Sequence, residues 1–123
     1  AAEDCTVMFL NGKTLLNTCD NGCKFHHTLV RNLLGIVAQN NMYLNQKIKY
    51  TSRKTTREKL MTYLNDQAKM KGSNDFTIPF NRQELADYLG VERSAMSAEL
   101  GKLTKLGILR TQRSHFTLLK PLD

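Results

Sequence analysis

The stretch FNRQELADYLGVERSAMSAELGKLTKLGIL, residues 80–109, decides the fold, because it carries the signals of two short helices joined by a turn. The first helix opens on a capping box, with Asn81 as the N-cap residue and Glu84 three positions later. Its narrow apolar face consists of Leu85, Ala86 and Leu89. Gly90 is predicted to end the helix, because glycine adopts the left-handed conformation that a sharp turn requires.

The second helix of this stretch is predicted to start around Glu92–Arg93 and to end at Gly107. The residues expected to face inward follow helical spacing: Met96, Leu100, Leu103 and Leu106. The outward face carries small or hydrogen-bond-donating side chains: Arg93, Ser94, Ser97 and Ala98. Such side chains can approach base edges closely. We expect the flanking Glu92 and Glu99 to point away or to be paired. The two helices are predicted to form a helix-turn-helix.

The segments on either side complete a winged domain over residues 55–123. Thr55 and Glu58 form another capping box, and the helix they open should end at Gly72. A short edge strand is predicted at 76–80, since Pro79 cannot donate to a ladder. After the second helix, 108–112 and 116–119 are predicted to form a hairpin that turns at Arg113–Ser114. This wing would contact phosphate through Arg113, Ser114 and His115.

A long helix is predicted at residues 27–50, followed by a polar, basic hinge at 51–54. Its apolar stripe has the heptad spacing of a coiled-coil seam, in which Asn41 would fix the register: Val30, Leu34, Val37, Asn41, Leu44 and Ile48. We interpret the helix as a dimerisation helix of a homodimer. The alternative is a single buried helix in a monomer, since only three heptads are present.

The composition indicates a globular, basic protein. Hydrophobic residues make up 41% of the chain and charged residues 24%, and the formal net charge is +7. Residues 52–123 hold 13 of the 18 basic side chains and 8 of the 11 acidic ones, so this segment carries most of the positive surplus. Nucleic acid is the commonest partner of such a segment. No apolar stretch approaches the roughly 20 residues of a membrane span, and the three cysteines suggest the reducing cytoplasm.

The N-terminal residues suggest part of another domain. Residues 6–16 are predicted to form a strand, a turn at Asn11–Gly12 and the start of a short amphipathic element. Because the chain opens on Ala and its first apolar run begins almost at once, we expect a preceding N-terminal part.

The motif at Phe80–Leu103, followed by Gly107–Leu109, resembles the Crp/Fnr family of bacterial transcription regulators. The resemblance covers nearly the whole chain. It implies a mainly α fold with small β, in which a long dimerisation helix precedes a winged helix-turn-helix. Residues 1–26 would then be a remnant of an effector-sensing β-roll. It implies double-stranded DNA and a second copy as partners, and allows RNA polymerase as a further one.

The resemblance also implies roles for individual residues. Asn81, Arg82 and Gln83 would contact phosphate at a helix N-terminus, where free amides and the dipole favour anions. Arg93 would be the guanine-reading residue, with Ser97 and Lys102 as polar contacts. Two positions depart from the family pattern: Ser94 replaces a base-reading Glu and Ala98 replaces a second Arg. The best-known family operators are therefore not expected here.

No cofactor is expected in this chain, and the effector of the missing N-terminal part is unknown. Met42–Tyr43 replaces the Thr-Ser pair of cyclic-AMP-binding members, which weakens that ligand as the effector. Cys5, Cys19, Cys23 and His26 are too loosely spaced to predict a metal site. Nothing in the sequence favours an enzyme. Two alternatives stay open: a winged-helix module for protein contacts, and a redox sensor acting through Cys19 and Cys23.

Overall fold

The computed structural model describes residues 3–16 and 23–120. Its elements are α1 (Gly12–Leu16), α2 (Lys24–Thr51), α3 (Thr56–Lys71), β1 (Asp75–Thr77), α4 (Arg82–Leu89), α5 (Arg93–Lys105), β2 (Leu109–Gln112) and β3 (His115–Leu118). The chain divides into two compact units, Ala1–Tyr43 and Leu44–Asp123. The second unit contains the end of α2, helices α3 to α5 and the sheet. The predicted class, mainly α with small β, is confirmed.

The three strands form one antiparallel sheet in the order β1-β3-β2. β1 pairs with β3 through Phe76 and Phe116, and β2 pairs with β3 through Thr111 and the same Phe116. The predicted edge strand is therefore present, but it ends at Thr77, before Ile78 and Pro79. The predicted hairpin is confirmed, with its turn at Arg113–Ser114.

The helix ends follow the predicted local signals. The Thr55 hydroxyl accepts from the Glu58 amide, and the Glu58 carboxylate accepts from the Thr55 amide. The second capping box, at Asn81 and Glu84, has the same reciprocal bonds. Gly90 has φ of +60°, so the turn between α4 and α5 uses the left-handed conformation that glycine permits. Both capping boxes and the glycine turn are confirmed.

The core of the second unit lies where α3, α4 and α5 pack on the sheet. Its fully enclosed side chains include residues from all three helices and from β2 and β3: Leu60, Leu64, Leu85, Leu89, Met96, Leu103, Leu109 and Phe116. Met96, Leu100 and Leu103 of α5 face inward as predicted. This packing leaves the opposite face of α5 in solvent.

The prediction that Leu106 faces the core is wrong. Helical spacing placed it there, but the side chain is 59% exposed. α5 ends at Lys105, and Leu106 is its C-cap residue. Gly107, at φ +67°, then turns the chain back, and the amide of Ile108 donates to the Leu103 carbonyl. Ile108 enters the core in place of Leu106.

A further correction concerns the N-terminal strand. Residues 7–10 form no strand, and helix α1 begins directly at Gly12. Val7 and Phe9 are exposed. A strand needs a neighbour to satisfy its backbone groups, and no strand of the described residues pairs with this run. The assignment of residues 1–26 to a β-roll stays a prediction.

Helix α2 has 28 residues and begins at Lys24, three residues before the predicted start. Its seam positions are exposed in the single chain at Leu34, Val37, Leu44 and Ile48. Among the described residues, no helix combines the length and the apolar character that a bilayer crossing requires.

The last two turns of α2 belong to the second unit. Tyr50 is only 1% exposed, and its ring lies 5.4 Å from that of Tyr63 and 6.0 Å from that of Tyr88, measured between centroids. On the same turns, Lys49 Nζ lies 2.5 Å from Asp66 Oδ2 of α3. The aromatic contacts join the end of α2 to both α3 and α4.

Burial of the tyrosines predicts a loss of stability in alkali. Desolvation, with the nearby charge of Asp66, raises the pKa of Tyr50 from 10.0 to about 12, and desolvation also raises that of Tyr63. A pKa raised by folding means that the stabilisation is fully present below pH 10 and is lost as the pH rises through 12. We expect the free energy of unfolding, measured in urea, to fall between pH 10 and 12. Tyr50→Phe should reduce this slope; an unchanged slope would contradict the assignment.

Candidate nucleic-acid interface

The exposed face of α5 presents the predicted base-reading residues together. α5 begins at Arg93, and the side chains of Arg93, Ser94, Ser97 and Ala98 are all exposed. The buried Met96 and Leu100 hold the opposite face against the core. Helical periodicity thus separates a core face from a polar face of small and basic residues.

The two acidic residues beside this face are paired, as expected. Glu92 Oε1 accepts a hydrogen bond of 2.6 Å from Ser94 Oγ. Glu99 Oε1 lies 2.6 Å from Lys102 Nζ. Lys102 therefore offsets part of the negative charge of Glu99, whereas Arg93 forms no ion pair with any described carboxylate. The charge of Arg93, at the start of α5, is directed to solvent.

A shallow cleft of about 430 Å³ brings together residues from α4, α5 and the wing. Six of the predicted site residues line it: Asn81, Arg82, Gln83, Arg93, Arg113 and Ser114. Three of these six are arginines, so the cleft is suited to an anion. The remaining predicted residues lie outside it: Ser94, Ser97, Ala98, Lys102 and His115.

At the N-terminus of α4, the capping residue already accepts hydrogen bonds from some of the backbone amides. Asn81 Oδ1 accepts from the amides of Gln83 and Glu84, at 2.9 and 3.0 Å. The Gln83 side-chain amide donates to Asp87 Oδ1. In this structure the capping residue therefore occupies the amides of Gln83 and Glu84, and phosphate contact at this helix end stays a prediction.

Arg82 points into the molecule. Its Nη2 donates to Thr111 Oγ1 at 2.5 Å, and its Cζ lies 5.0 Å from the centre of the Phe116 ring. Burial lowers the pKa of this guanidinium below its usual value, since the charged form loses hydration. In this structure the charge of Arg82 is therefore engaged with the wing.

The tip of the wing is anchored at Ser114 and exposed at Arg113. Ser114 Oγ donates to the Phe80 carbonyl, and the Ile78 amide donates to the Ser114 carbonyl. Arg113 has φ of 52°, a conformation that a two-residue hairpin turn requires and that most residues avoid. The anchored turn holds Arg113 at the cleft.

His115 begins β3, the central strand of the sheet. Its Nε2 is 2.5 Å from Asp75 Oδ1, and its Nδ1 is 3.0 Å from Thr77 Oγ1. Both ring nitrogens thus contact β1. Phosphate contact by His115 stays a prediction.

A second cleft, of about 490 Å³, lies between the start of α3 and the exposed face of α5. Ala98 and Lys102 line it together with Thr55, Thr56 and Arg57. We did not predict the last three as site residues. The capping box at Thr55 was the available signal, because it placed a helix N-terminus there, but the sequence did not show that α5 lies beside it.

The cysteines do not assemble a metal site within the described residues. No group of three or more His, Cys, Asp or Glu side chains is suitably placed there. Cys5 and Cys23 are free and exposed, and Cys19 lies outside the described residues. A redox role for Cys19 and Cys23 stays a prediction.

Comparison with known proteins identifies the fold. A family model described as the Crp-like helix-turn-helix domain matches residues 58–122, more than half of the chain. The search of curated protein sequences found no match to this chain. A Crp/Fnr-family transcriptional regulator from Eubacterium rectale is 16% identical, with a TM-score of 0.50, over 81% of this chain and 44% of that one. The reduced CO-sensing protein of R. rubrum is 18% identical, with a TM-score of 0.39, over 80% and 47%.

The chain therefore spans less than half the length of either solved structure. At 16% identity, the likeness to the Eubacterium rectale regulator shows the fold alone. The match to the family model shows the family as well as the fold, because it includes helices α4 and α5, the glycine turn between them and the wing. The chain belongs to the Crp-like helix-turn-helix family, whose members are DNA-binding transcription regulators.

Proposed function

We propose that this chain binds a pseudo-palindromic operator as a homodimer, with α5 of each copy in the major groove of one half-site. The observation that supports this proposal most directly is the exposed polar face of α5, on which Arg93 adjoins the arginine-lined cleft. The planar guanidinium of Arg93 can bind O6 and N7 of guanine together. Ser97 is an exposed hydroxyl within the same face, and Ala98 can contact a thymine methyl group.

The residues around this face supply phosphate contacts. Arg113 at the wing tip and Lys54 before α3 are exposed cations, and Arg57 lines the cleft beside α5. Phosphate contacts set the position of the protein on the duplex and much of its affinity, whereas base contacts determine which DNA sequence it prefers. In this assignment Arg113 and Arg57 hold the helix in the groove, and Arg93 discriminates between bases.

The dimer rests on α2. Its seam side chains Leu34, Val37, Leu44 and Ile48 are exposed in the single chain. Between Lys24 and Lys47 the helix has only one charged residue, Arg31. A 28-residue helix is about 42 Å long, which is enough for several heptads of contact. A second copy of the same helix would cover this uncharged surface. RNA polymerase is proposed as a further partner of the dimer.

Val37→Glu should dissociate the dimer, because it places two like charges opposite each other in the seam. Such a juxtaposition costs several kcal/mol, and about 1.4 kcal/mol changes an equilibrium tenfold. We expect the dimer Kd from sedimentation equilibrium to rise about a hundredfold. Gln39→Glu adds the same charge on the opposite side of the heptad and should leave the Kd nearly unchanged. Equal effects of the two variants would exclude this seam.

A gel shift against genomic fragments tests DNA binding itself. The expected result is selective retention of some fragments, with an affinity that falls steeply as salt increases, because phosphate contacts release counterions. Binding of no fragment at low salt would overturn the proposal. That outcome would favour the alternative, a winged helix that contacts another protein.

A further inference from the structure

Arg82 links the first turn of α4 to both strands of the wing. Its Nη2 donates to Thr111 on β2, and its guanidinium lies over the ring of Phe116 on β3. Thr111 and Phe116 are directly opposite each other in the antiparallel register. One side chain therefore contacts a cross-strand pair of the hairpin.

The guanidinium of Arg82 is partly withdrawn from solvent. Arg82 Nη1 is buried and makes no hydrogen bond among the described residues, and no described carboxylate pairs with the guanidinium. Partial burial of a charge without a counter-ion carries a desolvation cost, and the ring face of Phe116 and the Thr111 hydroxyl offset part of that cost.

The link acts on the part of the wing that carries Arg113. Arg82 contacts the wing at Thr111, and Thr111 Oγ1 also donates to the His115 carbonyl across the hairpin. The turn at Arg113–Ser114 follows Thr111 by two residues. On its other side the turn is tied to Phe80, next to the cap of α4. Arg82 and Ser114 therefore hold the tip from two directions.

We propose that Arg82 is a positioning residue, which orients the wing so that Arg113 reaches a DNA phosphate, rather than a phosphate contact itself. The proposal deepens the function proposed above and rests on it for its DNA readout. It assigns the direct contact to the exposed Arg113 and an indirect role to the partly buried Arg82.

A double-mutant cycle on DNA affinity separates the two roles. We expect Arg113→Ala to weaken binding about tenfold in the parent protein, as the removal of a charge-assisted hydrogen bond would. In the Arg82→Met background it should have little further effect, because the wing is no longer oriented. The salt dependence of the double variant should then correspond to one phosphate fewer than in the parent. Multiplicative effects on affinity, with a salt dependence that corresponds to two phosphates fewer, would overturn the proposal.

Amide hydrogen exchange of the DNA-free protein provides a second readout. Arg82→Met should speed exchange of the paired wing amides, at residues 111–116, by about tenfold and leave the α4 amides unchanged. Thr111→Val keeps the strand and the charge but removes both the acceptor for Arg82 and the donor to the His115 carbonyl, so it should act in the same direction. Unchanged wing exchange in both variants would contradict the positioning role. This result stands even if the protein binds no DNA, so the two proposals can fail separately.

Discussion

Tyr50→Ala is expected to lower the free energy of unfolding by about 3–5 kcal/mol, the cost of truncating a fully buried aromatic side chain. Tyr50 is 1% exposed and packs against Tyr63 and Tyr88. Its removal would leave a cavity where α2, α3 and α4 meet. The loss should be measured by urea unfolding, with a shift of the midpoint and little change of m.

Tyr50→Phe is the matched control. It keeps the ring and removes only the hydroxyl, whose pKa burial and the nearby charge of Asp66 raise, so we expect a loss of roughly 0.5–1.5 kcal/mol. A loss below about 1 kcal/mol for Tyr50→Ala would show that the end of α2 is not part of the core. The expected large loss would instead show that the Tyr50 side chain anchors the end of α2 in the core of the second unit.

Arg93→Ala is expected to weaken binding to the preferred operator by roughly 1–3 kcal/mol and binding to random DNA by much less. The guanidinium would read guanine only in the preferred site, whereas random DNA offers it phosphate alone. Lys69→Ala, at an exposed position near the end of α3, removes the same charge and should affect both DNAs equally and weakly. A fixed-salt titration in which Arg93→Ala lowers both affinities equally would refute the base-reading role.

The elements that could be predicted are those whose signals are local in the sequence. The capping boxes at Thr55 and Asn81 and the glycine at position 90 need only neighbouring residues, and each helix begins or ends where these residues predict. The same holds for the hairpin turn at Arg113–Ser114. Local hydrogen bonds and the freedom of glycine depend on neighbouring residues and not on tertiary contacts.

The predictions that failed depended on contacts between distant residues. Leu106 continues the helical spacing of α5, but the turn at Gly107 brings Ile108 into the core instead. Residues 7–10 have the composition of a strand and find no partner among the described residues. Periodicity states which residues could share a face and not whether another element covers that face.

The candidate site shows the same division between local signals and contacts of distant residues. Its residues on α5 were predictable because they follow from one helix with one buried face. The engagement of Arg82 was not, because Thr111 and Phe116 lie 29 and 34 positions further along the chain. The cleft formed by Thr55–Arg57 and Lys102 likewise requires α3 to lie beside α5. Three-dimensional packing, rather than residue type, determines which polar side chains are free to contact DNA.

Selection of bound DNA from a random pool tests the central proposal most directly. If α5 of each copy enters the major groove, the enriched sequences will contain two inverted half-sites whose centres lie about one helical turn apart. Each half-site should include a guanine whose enrichment disappears in Arg93→Ala, and Lys69→Ala should select the same sequence as the parent. A pool without any enriched motif, or a motif that Arg93→Ala leaves unchanged, would contradict the placement of α5 in the groove.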